Sequence, residues 1–299
     1  MKTPSMPAST DAEVRRGSVV MILSVCGFTV NTLLLRLLGT EAHEVSAVLP
    51  LLFRAGVGAA IVLTFLRGNR PTRVRPVFTE KKLILRGFVG LLGTAAYYIT
   101  IPALGAGKAT LLCNTYVVFA AILATLTLGE RLTRVRFAWL ALAFAGIVLL
   151  TGPEGGTGGG FAVGWHEVVA IAGALTAAWA VILIRQLSVE HSIGTIYLAQ
   201  CVWIFLPVLA ITARELPGLG GAEWALLVGA AAAASIGQLA MNEGYRTLPV
   251  AAGASLQMLW PVMTSLGGFV WFGERFTAPQ LAGAVLILLG TWRVAIGKR

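Results

Sequence analysis

The chain has 299 residues, of which 57% are hydrophobic and only 12% are charged, and its mean hydropathy is +0.82. A soluble domain has roughly 25% charged residues, so this composition excludes an ordinary soluble protein and favours one embedded in a lipid bilayer. The net charge of +10 could suit a nucleic-acid partner. However, the basic residues gather in the short segments between apolar runs, which argues against nucleic-acid binding.

Ten apolar segments follow one another along the chain, each close to the roughly 20 residues that a membrane-spanning helix needs. Lipid offers no partner for an unpaired backbone group, so we predict helices; the alternating ten-residue pattern of a membrane β-barrel is absent. The predicted spans are residues 18–37, 46–66, 84–104, 107–128, 136–151, 166–185, 194–213, 223–244, 249–272 and 277–295.

The basic residues are divided unequally between the two sides of these spans. About 18 Lys and Arg residues fall on one side and about four on the other, the bias that marks the cytoplasmic side. The larger group includes those around the loop after the second span, among them Arg86. We therefore predict a multi-pass protein of the bacterial inner membrane with both termini in the cytoplasm. The polar N-terminus indicates a retained first helix and not a cleaved signal peptide.

An internal repeat organises the chain. Residues 128–133 read LGERLT and residues 272–277 read FGERFT, 144 positions apart, and the same offset pairs Gly146 with Gly290. The glycine-rich segment 153–160 is a predicted linker between a first unit, 1–152, and a second, 161–299. Each unit has five spans, and because five is odd the second enters the membrane in the opposite orientation. Inverted repeats of this kind are typical of transporters with a site near the midplane.

The second copy resembles the EamA repeat of the drug/metabolite transporter superfamily, on Pro261, Gly273–Thr277, Gln280, Gly283 and Gly290. The first copy is weaker, because Val117 replaces the proline and Trp139 a glycine. Within that superfamily the chain is most similar to bacterial aromatic amino-acid exporters. The resemblance implies an all-α bundle of ten helices around a central cavity lined by spans 1, 3, 4, 6, 8 and 9, with spans 5 and 10 peripheral.

Several uncharged polar side chains lie at depth in predicted spans. An amide in hydrocarbon is costly unless paired, so such groups face a bundle interior or a cavity. They could bind the carboxylate and ammonium of an amino acid, or they could hold neighbouring helices together. These candidates are Asn31, Asn114, Thr115, Gln238, Asn242 and Gln257.

Aromatic residues at mid-span form a second set of candidates. Trp179 and Trp260 fall on helices that the resemblance places at the cavity, whereas Trp203 is expected to serve packing. Of the consecutive Tyr97 and Tyr98, whose side chains diverge by about 100° on a helix, we favour Tyr98 as the cavity residue. Each could equally be a packing contact.

Charged residues and prolines complete the set. Arg54 is expected to extend to the membrane surface, or otherwise to bind a carboxylate or fix another helix. Glu130 and Glu274 are expected to stabilise helix N-termini, a structural role. Pro207 and Pro261 should kink their helices, with gating or packing as the consequence.

No Asp or Glu occurs at mid-span, which disfavours a polyvalent cation as cargo. The pattern therefore predicts a secondary transporter that exports small neutral metabolites, amino acids and in particular aromatic ones, by alternating access. A proton-coupled drug exporter and a carrier of sugar phosphates or nucleotide sugars remain alternatives, and an intramembrane enzyme a remote one. We expect no cofactor, no metal and no nucleic acid, with a small molecule and the lipid bilayer as partners of a monomer.

Overall fold

A computed structural model describes residues 11–41, 46, 48–65, 71–130, 133–151, 164–273 and 277–296. Every regular element in these ranges is helical and none is a strand. The α-helices are α1 (Asp11–Glu41), α2 (Leu49–Phe65), α3 (Arg75–Thr79), α4 (Lys81–Asn114), α5 (Tyr116–Leu128), α6 (Arg134–Thr151), α7 (Trp165–Leu187), α8 (Ile193–Thr212), α9 (Gly221–Thr247), α10 (Val250–Gln257), α11 (Leu259–Phe272) and α12 (Ala278–Ile296). A single 3₁₀ turn, Leu216–Gly218, precedes α9.

The all-helical, apolar architecture agrees with the composition. Within the described ranges, five helical stretches are long and apolar enough to cross a membrane, namely 11–39, 81–100, 165–187, 193–212 and 221–247. Shorter apolar stretches lie at 49–65, 112–128 and 281–290. The count of ten spans in two inverted fives stays a prediction. The predicted linker 153–160 and Glu274 lie outside the described residues.

The region predicted as two spans, 84–104 and 107–128, is divided differently in the structure. Helical residues run without a break from Lys81 to Asn114, and α5 starts only at Tyr116. Yet the Cys113 thiol hydrogen-bonds to Thr100 and lies 3.9 Å from the carbonyl oxygen of Ala170. Thirteen residues of straight helix extend about 20 Å, so α4 must fold back between these two side chains.

Two tightened turns interrupt apolar helices at nearly equivalent positions of the repeat. The N–H of Thr115 bonds to the carbonyl of Leu112, and the N–H of Met258 bonds to that of Ser255, each three residues back. Both residues keep helical dihedral angles, with ψ of −16° and −14°. Such one-turn tightening inside a helix often marks strain or a hinge.

Pro261 explains the second interruption. It has no N–H to give to the carbonyl of Gln257, where α10 ends, and it lies in the first turn of α11, where a missing N–H costs nothing. Predicted as a mid-helix kink, it therefore starts a new helix. Pro207 lies inside the unbroken α8, on the exposed face of that helix.

The two Gly-Glu-Arg copies begin with the same backbone geometry. Gly129 ends α5 with φ of 67° and Gly273 ends α11 with φ of 65°, the left-handed conformation that glycine adopts without steric cost. They are the only residues with positive φ in the described ranges. The repeated glycine is thus required by the helix termini.

Helices of the first half pack mainly on helices of the second. The principal neighbours are α1 with α9, α4 with α7, α6 with α12, α2 with α8, α2 with α9 and α4 with α8. The approach of α1 to α9 is close, because a Cβ on Gly27 would lie 2.8 Å from the carbonyl oxygen of Ala233 and from the Cα of Gly237. Small residues permit such contact between apolar helices.

Candidate functional site

A buried guanidinium group occupies the interface between α2 and α9. Arg54 is only 8% exposed, so the expected extension to the membrane surface is wrong. Its Nη2 donates to Gln238 Oε1 at 2.9 Å, and Gln238 Nε2 donates to Asn242 Oδ1 at 3.1 Å. Arg54 Nε and Asn242 Nδ2 have no hydrogen-bond partner among the described residues. Gln238 and Asn242, two of the predicted substrate-binding candidates, thus form a chain of hydrogen bonds with the Arg54 guanidinium.

An aromatic wall, formed by Phe28, Trp260 and Tyr97, begins beside this charge. The Arg54 guanidinium lies 5.5 Å from the ring centroid of Phe28, within the range of a cation–π contact. The Phe28 and Trp260 centroids are 5.8 Å apart, as are those of Trp260 and Tyr97. Trp260 and Tyr97 are half-buried, and the indole Nε1 has no partner in the described part of the chain.

The structure distinguishes the two consecutive tyrosines. Tyr98 is buried in an apolar cluster with residues of α2 and α8, such as Leu52 and Ile204, whereas Tyr97 contacts Trp260. The ring centroids of Tyr97 and Tyr98 are 5.9 Å apart, so Tyr98 joins the wall only through its neighbour. The sequence alone does not indicate which of these two side chains faces α11.

A second buried guanidinium lies between α4 and α8. Arg86 is 1% exposed, and its Nη2 donates to Gln200 Oε1 at 2.8 Å, while Nε and Nη1 have no partner among the described residues. The prediction that Arg86 belongs to the surface loop is therefore wrong. Gly90, one turn further along α4, makes room for it, since a Cβ there would lie 2.5 Å from Arg86 Nη1. A glycine four residues after an arginine, both inside a predicted span, was the feature of the sequence that could have indicated a buried guanidinium.

Other predicted amides connect helices. Asn31 Nδ2 donates to the carbonyl of Ala230 at 3.0 Å and so fixes α1 to α9. Gln257 Nε2 donates to Ser24 Oγ at 2.8 Å and to Met21 Sδ at 3.0 Å, and so fixes α10 to α1. Both side chains are buried. These contacts stabilise the bundle around the arginines.

Three further candidates lie outside the Arg54 chain and the aromatic wall. Asn114 is buried at the end of α4, and Thr115 Oγ1 donates to the carbonyl of Leu112 at 2.6 Å, within the tightened turn. Trp179 is 38% exposed and shares one face of α7 with the exposed Ile171 and Leu175.

Glu130 closes one end of the bundle. Its two carboxylate oxygens accept from the backbone N–H of Val250 at 3.0 and 2.9 Å, so the loop after α5 caps α10 in the other half of the chain. Burial raises the pKa of this carboxyl above its ordinary value, and the bond from Val250 and the charge of Arg185 oppose that shift. Nearby, Arg185 Nη1 donates to the carbonyls of Tyr245 and Arg246 at 2.9 and 2.6 Å. Glu130 therefore caps a helix, as expected, but that helix is α10, in the other copy of the repeat.

The site has no evident metal-binding chemistry. Within the described ranges, no group of three or more His, Cys, Asp or Glu side chains could hold a metal ion. The interior described above instead consists of two positive charges, amides and aromatic rings. This set can bind an anion in a solvent-poor environment, where charge-assisted hydrogen bonds are strong.

Comparisons with known proteins agree with this architecture. The model of the EamA-like transporter family matches residues 15–152 and 164–296. The pseudopaline exporters of two Pseudomonas aeruginosa strains, UCBPP-PA14 and PAO1, are each 24% identical over 289 residues, which cover 92% of this chain and 94% of theirs. A crystal structure of another protein, 18% identical, superimposes with a TM-score of 0.76 over 94% of this chain and 98% of that one. At that identity the likeness concerns the fold alone.

Proposed function

Because the chain belongs to the EamA-like transporter family, we propose that it exports a small amino-acid-type metabolite that carries a carboxylate and an aromatic group. Family membership makes the chain a membrane transporter, with a small molecule as cargo and lipid around it. The relatives named as exporters of pseudopaline support the direction of transport.

The observation that carries the proposal is the Arg54 guanidinium beside the Phe28 ring. A buried charge is costly unless it is paired, and the partner that Arg54 has, Gln238, is neutral. Its Nε is buried and has no hydrogen-bond partner among the described residues, so a carboxylate oxygen would satisfy it, and intramembrane ionisable groups typically mark a cargo pathway. The cargo carboxylate would therefore bind Arg54.

The aromatic wall supports a ring on the cargo. Phe28 and Trp260 present π-faces next to Arg54, and offset or edge contacts between rings contribute roughly 0.5–1.5 kcal/mol beyond burial. The unpartnered Trp260 Nε1 would donate to a polar group of the cargo. An aromatic amino acid satisfies both the guanidinium and the wall.

Alternating access requires two halves that move against each other, and the helix contacts support such an arrangement. A shift of 144 positions places α2 on α8, α4 on α9 and α6 on α12, so that the α2–α9 contact exchanges with the α4–α8 contact. The Arg54–Gln238 bond joins the two halves and would report their separation. The site would thus open to one side when the halves rock.

Transport into liposomes that contain the purified protein tests the proposal. Phenylalanine and phenethylamine are matched probes, because they differ only by the carboxylate, and threonine removes the ring. We expect flux of phenylalanine, little of threonine and none of phenethylamine. Arg54→Met should abolish the phenylalanine flux, whereas Arg214→Met, at an exposed position, should not.

Two outcomes would contradict the proposal. Flux of a cationic dye that requires a pH gradient, without flux of phenylalanine, would favour the proton-coupled drug exporter. Flux of glucose 6-phosphate without flux of phenylalanine would favour the carrier of phosphorylated sugars. Equal phenylalanine flux in wild type and Arg54→Met would remove the guanidinium from the site.

A further inference from the structure

We propose that Arg54 and Arg86 form one two-arginine site, and that the cargo carries two carboxylates, one for each guanidinium. This inference rests on the proposed function and specifies its substrate class as a dicarboxylate of amino-acid type. No part of the proposed function assigns a role to Arg86.

The two guanidinium groups lie beside the same segment of α8. On one side of that segment, a Cβ on Gly58, one turn after Arg54 on α2, would lie 2.5 Å from Tyr197 Oη and 2.9 Å from Cys201 Sγ. On the other side, a Cβ on Gly90 would lie 2.5 Å from Arg86 Nη1 and 3.0 Å from Gln200 Cγ. Both positive charges therefore face one region of the interior, between α2, α4, α8 and α9.

Nothing in the described part of the chain neutralises this pair. Their side-chain hydrogen-bond partners, Gln238 and Gln200, are uncharged, and no carboxylate among the described residues forms an ion pair with either guanidinium. Three of their nitrogen atoms, Arg54 Nε and Arg86 Nε and Nη1, lack a partner there. Two like charges held together in a low dielectric favour the binding of negative charge.

The placement favours two carboxylates over a single anionic group. Arg54 is held by an amide of α9 and Arg86 by an amide of α8, so each guanidinium is fixed at its own helix interface. The 144-residue offset between the two copies maps α2 onto α8 and α4 onto α9, so the α2–α9 and α4–α8 interfaces are equivalent positions of the repeat. Two separate docking points on either side of the repeat suit a molecule with two separate carboxylates.

A purely structural reading makes each arginine a connection between helices. That reading explains one hydrogen bond for each residue, but not why three buried nitrogen atoms have no hydrogen-bond partner among the described residues. A connection between helices would be served at lower cost by a neutral side chain. The unpaired, positively charged donors therefore favour an anionic cargo.

Phenylalanine and N-(carboxymethyl)phenylalanine provide a matched test, because they differ by one carboxymethyl group on the nitrogen, which adds the second carboxylate. Affinities would be measured by calorimetric titration of the purified full-length protein. We expect wild type to bind the diacid about 10-fold or more tightly than phenylalanine, the effect of one additional charge-assisted bond. Arg86→Met should remove this preference by weakening the diacid more than phenylalanine, whereas Arg54→Met should weaken both.

Two further variants keep the test valid if Arg86→Met fails to fold. Arg86→Lys preserves the positive charge but loses the planar guanidinium and its parallel N–H donors. Gly90→Ala would displace Arg86 Nη1, which is the end of a flexible side chain and can move. Each should reduce the preference for the diacid with little change in melting temperature. Arg214→Met, which removes an exposed arginine, is the control for net charge.

The possible failures can be told apart. Phenylalanine binding with no preference for the diacid in wild type would overturn the two-arginine site and leave the proposed function intact. So would an equal loss of affinity for both probes in Arg86→Met. Binding of neither probe would overturn the proposed function as well. If phenyl phosphate binds more tightly than the diacid and its affinity falls in both arginine variants, the site would bind one phosphate group and not two carboxylates.

Discussion

Gln238→Leu should destabilise the protein more when Arg54 is present than when Arg54 has been replaced by methionine. The amide accepts from Arg54 Nη2 at 2.9 Å and donates to Asn242 at 3.1 Å. A hydrogen bond to a charged group contributes about 1.5–3 kcal/mol when the charge cannot return to water, and Arg54 is 8% exposed. The neutral bond to Asn242 contributes about 0.6 kcal/mol, the average between membrane helices.

These magnitudes predict a measurable coupling. Gln238→Leu should cost about 2–3 kcal/mol in wild type, and about 0.6 kcal/mol in an Arg54→Met background, where no charge is left unpaired. Arg54→Met alone should be close to neutral, because replacing a buried charge by an apolar group of similar size removes its desolvation cost. The energies refer to the folded protein without cargo.

Thermal unfolding in detergent, followed with a thiol-reactive fluorescent dye, provides the assay. Cys201 is buried and free, so its reaction with the dye reports the loss of packing around α8. At about 2 °C per kcal/mol for a chain of this size, Gln238→Leu should lower Tm by about 4–6 °C in wild type and about 1 °C in the Arg54→Met background. An equal decrease in both backgrounds would refute the Arg54–Gln238 coupling.

Three other changes test separate features. Gly27→Ala should cost about 1–3 kcal/mol and lower the yield of folded protein, because its Cβ would meet the Ala233 carbonyl; Gly39→Ala, with open space around it, should be tolerated. Trp260→Leu should weaken phenylalanine binding about 2- to 10-fold and leave threonine unaffected, and an equal effect on both would contradict the aromatic wall. Glu130→Gln should flatten the pH dependence of Tm. The raised pKa of Glu130 means that wild type loses stability as pH rises from about 4.5 through the folded-state pKa, so an unchanged slope in the variant would refute the burial of that carboxyl.

The extent of the helices was largely predictable because lipid permits few alternatives. Hydrophobic runs of bilayer length must be helical, and the glycine of each Gly-Glu-Arg copy predicts a helix end, as found at Gly129 and Gly273. The tightened turns at Thr115 and Met258 were not predicted. Hydropathy is the same on both sides of such a turn, so only the proline at 261 pointed to the second.

The candidate site was predictable in kind and less so in detail. Amides at depth must be paired, which is why Gln238 and Asn242 proved to be partners of each other. The sequence does not reveal which face of a helix points to the site. We therefore favoured Tyr98, whereas in the structure it is Tyr97 that contacts Trp260. Arg86 was assigned to the surface because it lies near a span end among other basic residues, although its partner Gln200 is 114 positions away.

The two buried guanidinium groups bear on the energy source of transport. A bacterial membrane is negative inside, and each negative charge that leaves gains about 2.3 kcal/mol per 100 mV. A dicarboxylate with one ammonium group would leave with one net negative charge, and its fixed counter-charges, Arg54 and Arg86, would remain in the protein. Voltage would then expel the cargo without a coupled proton, which suits helices that lack a carboxylate at mid-span. Export by this protein would be electrogenic, and a membrane held at zero potential would leave it only the concentration gradient.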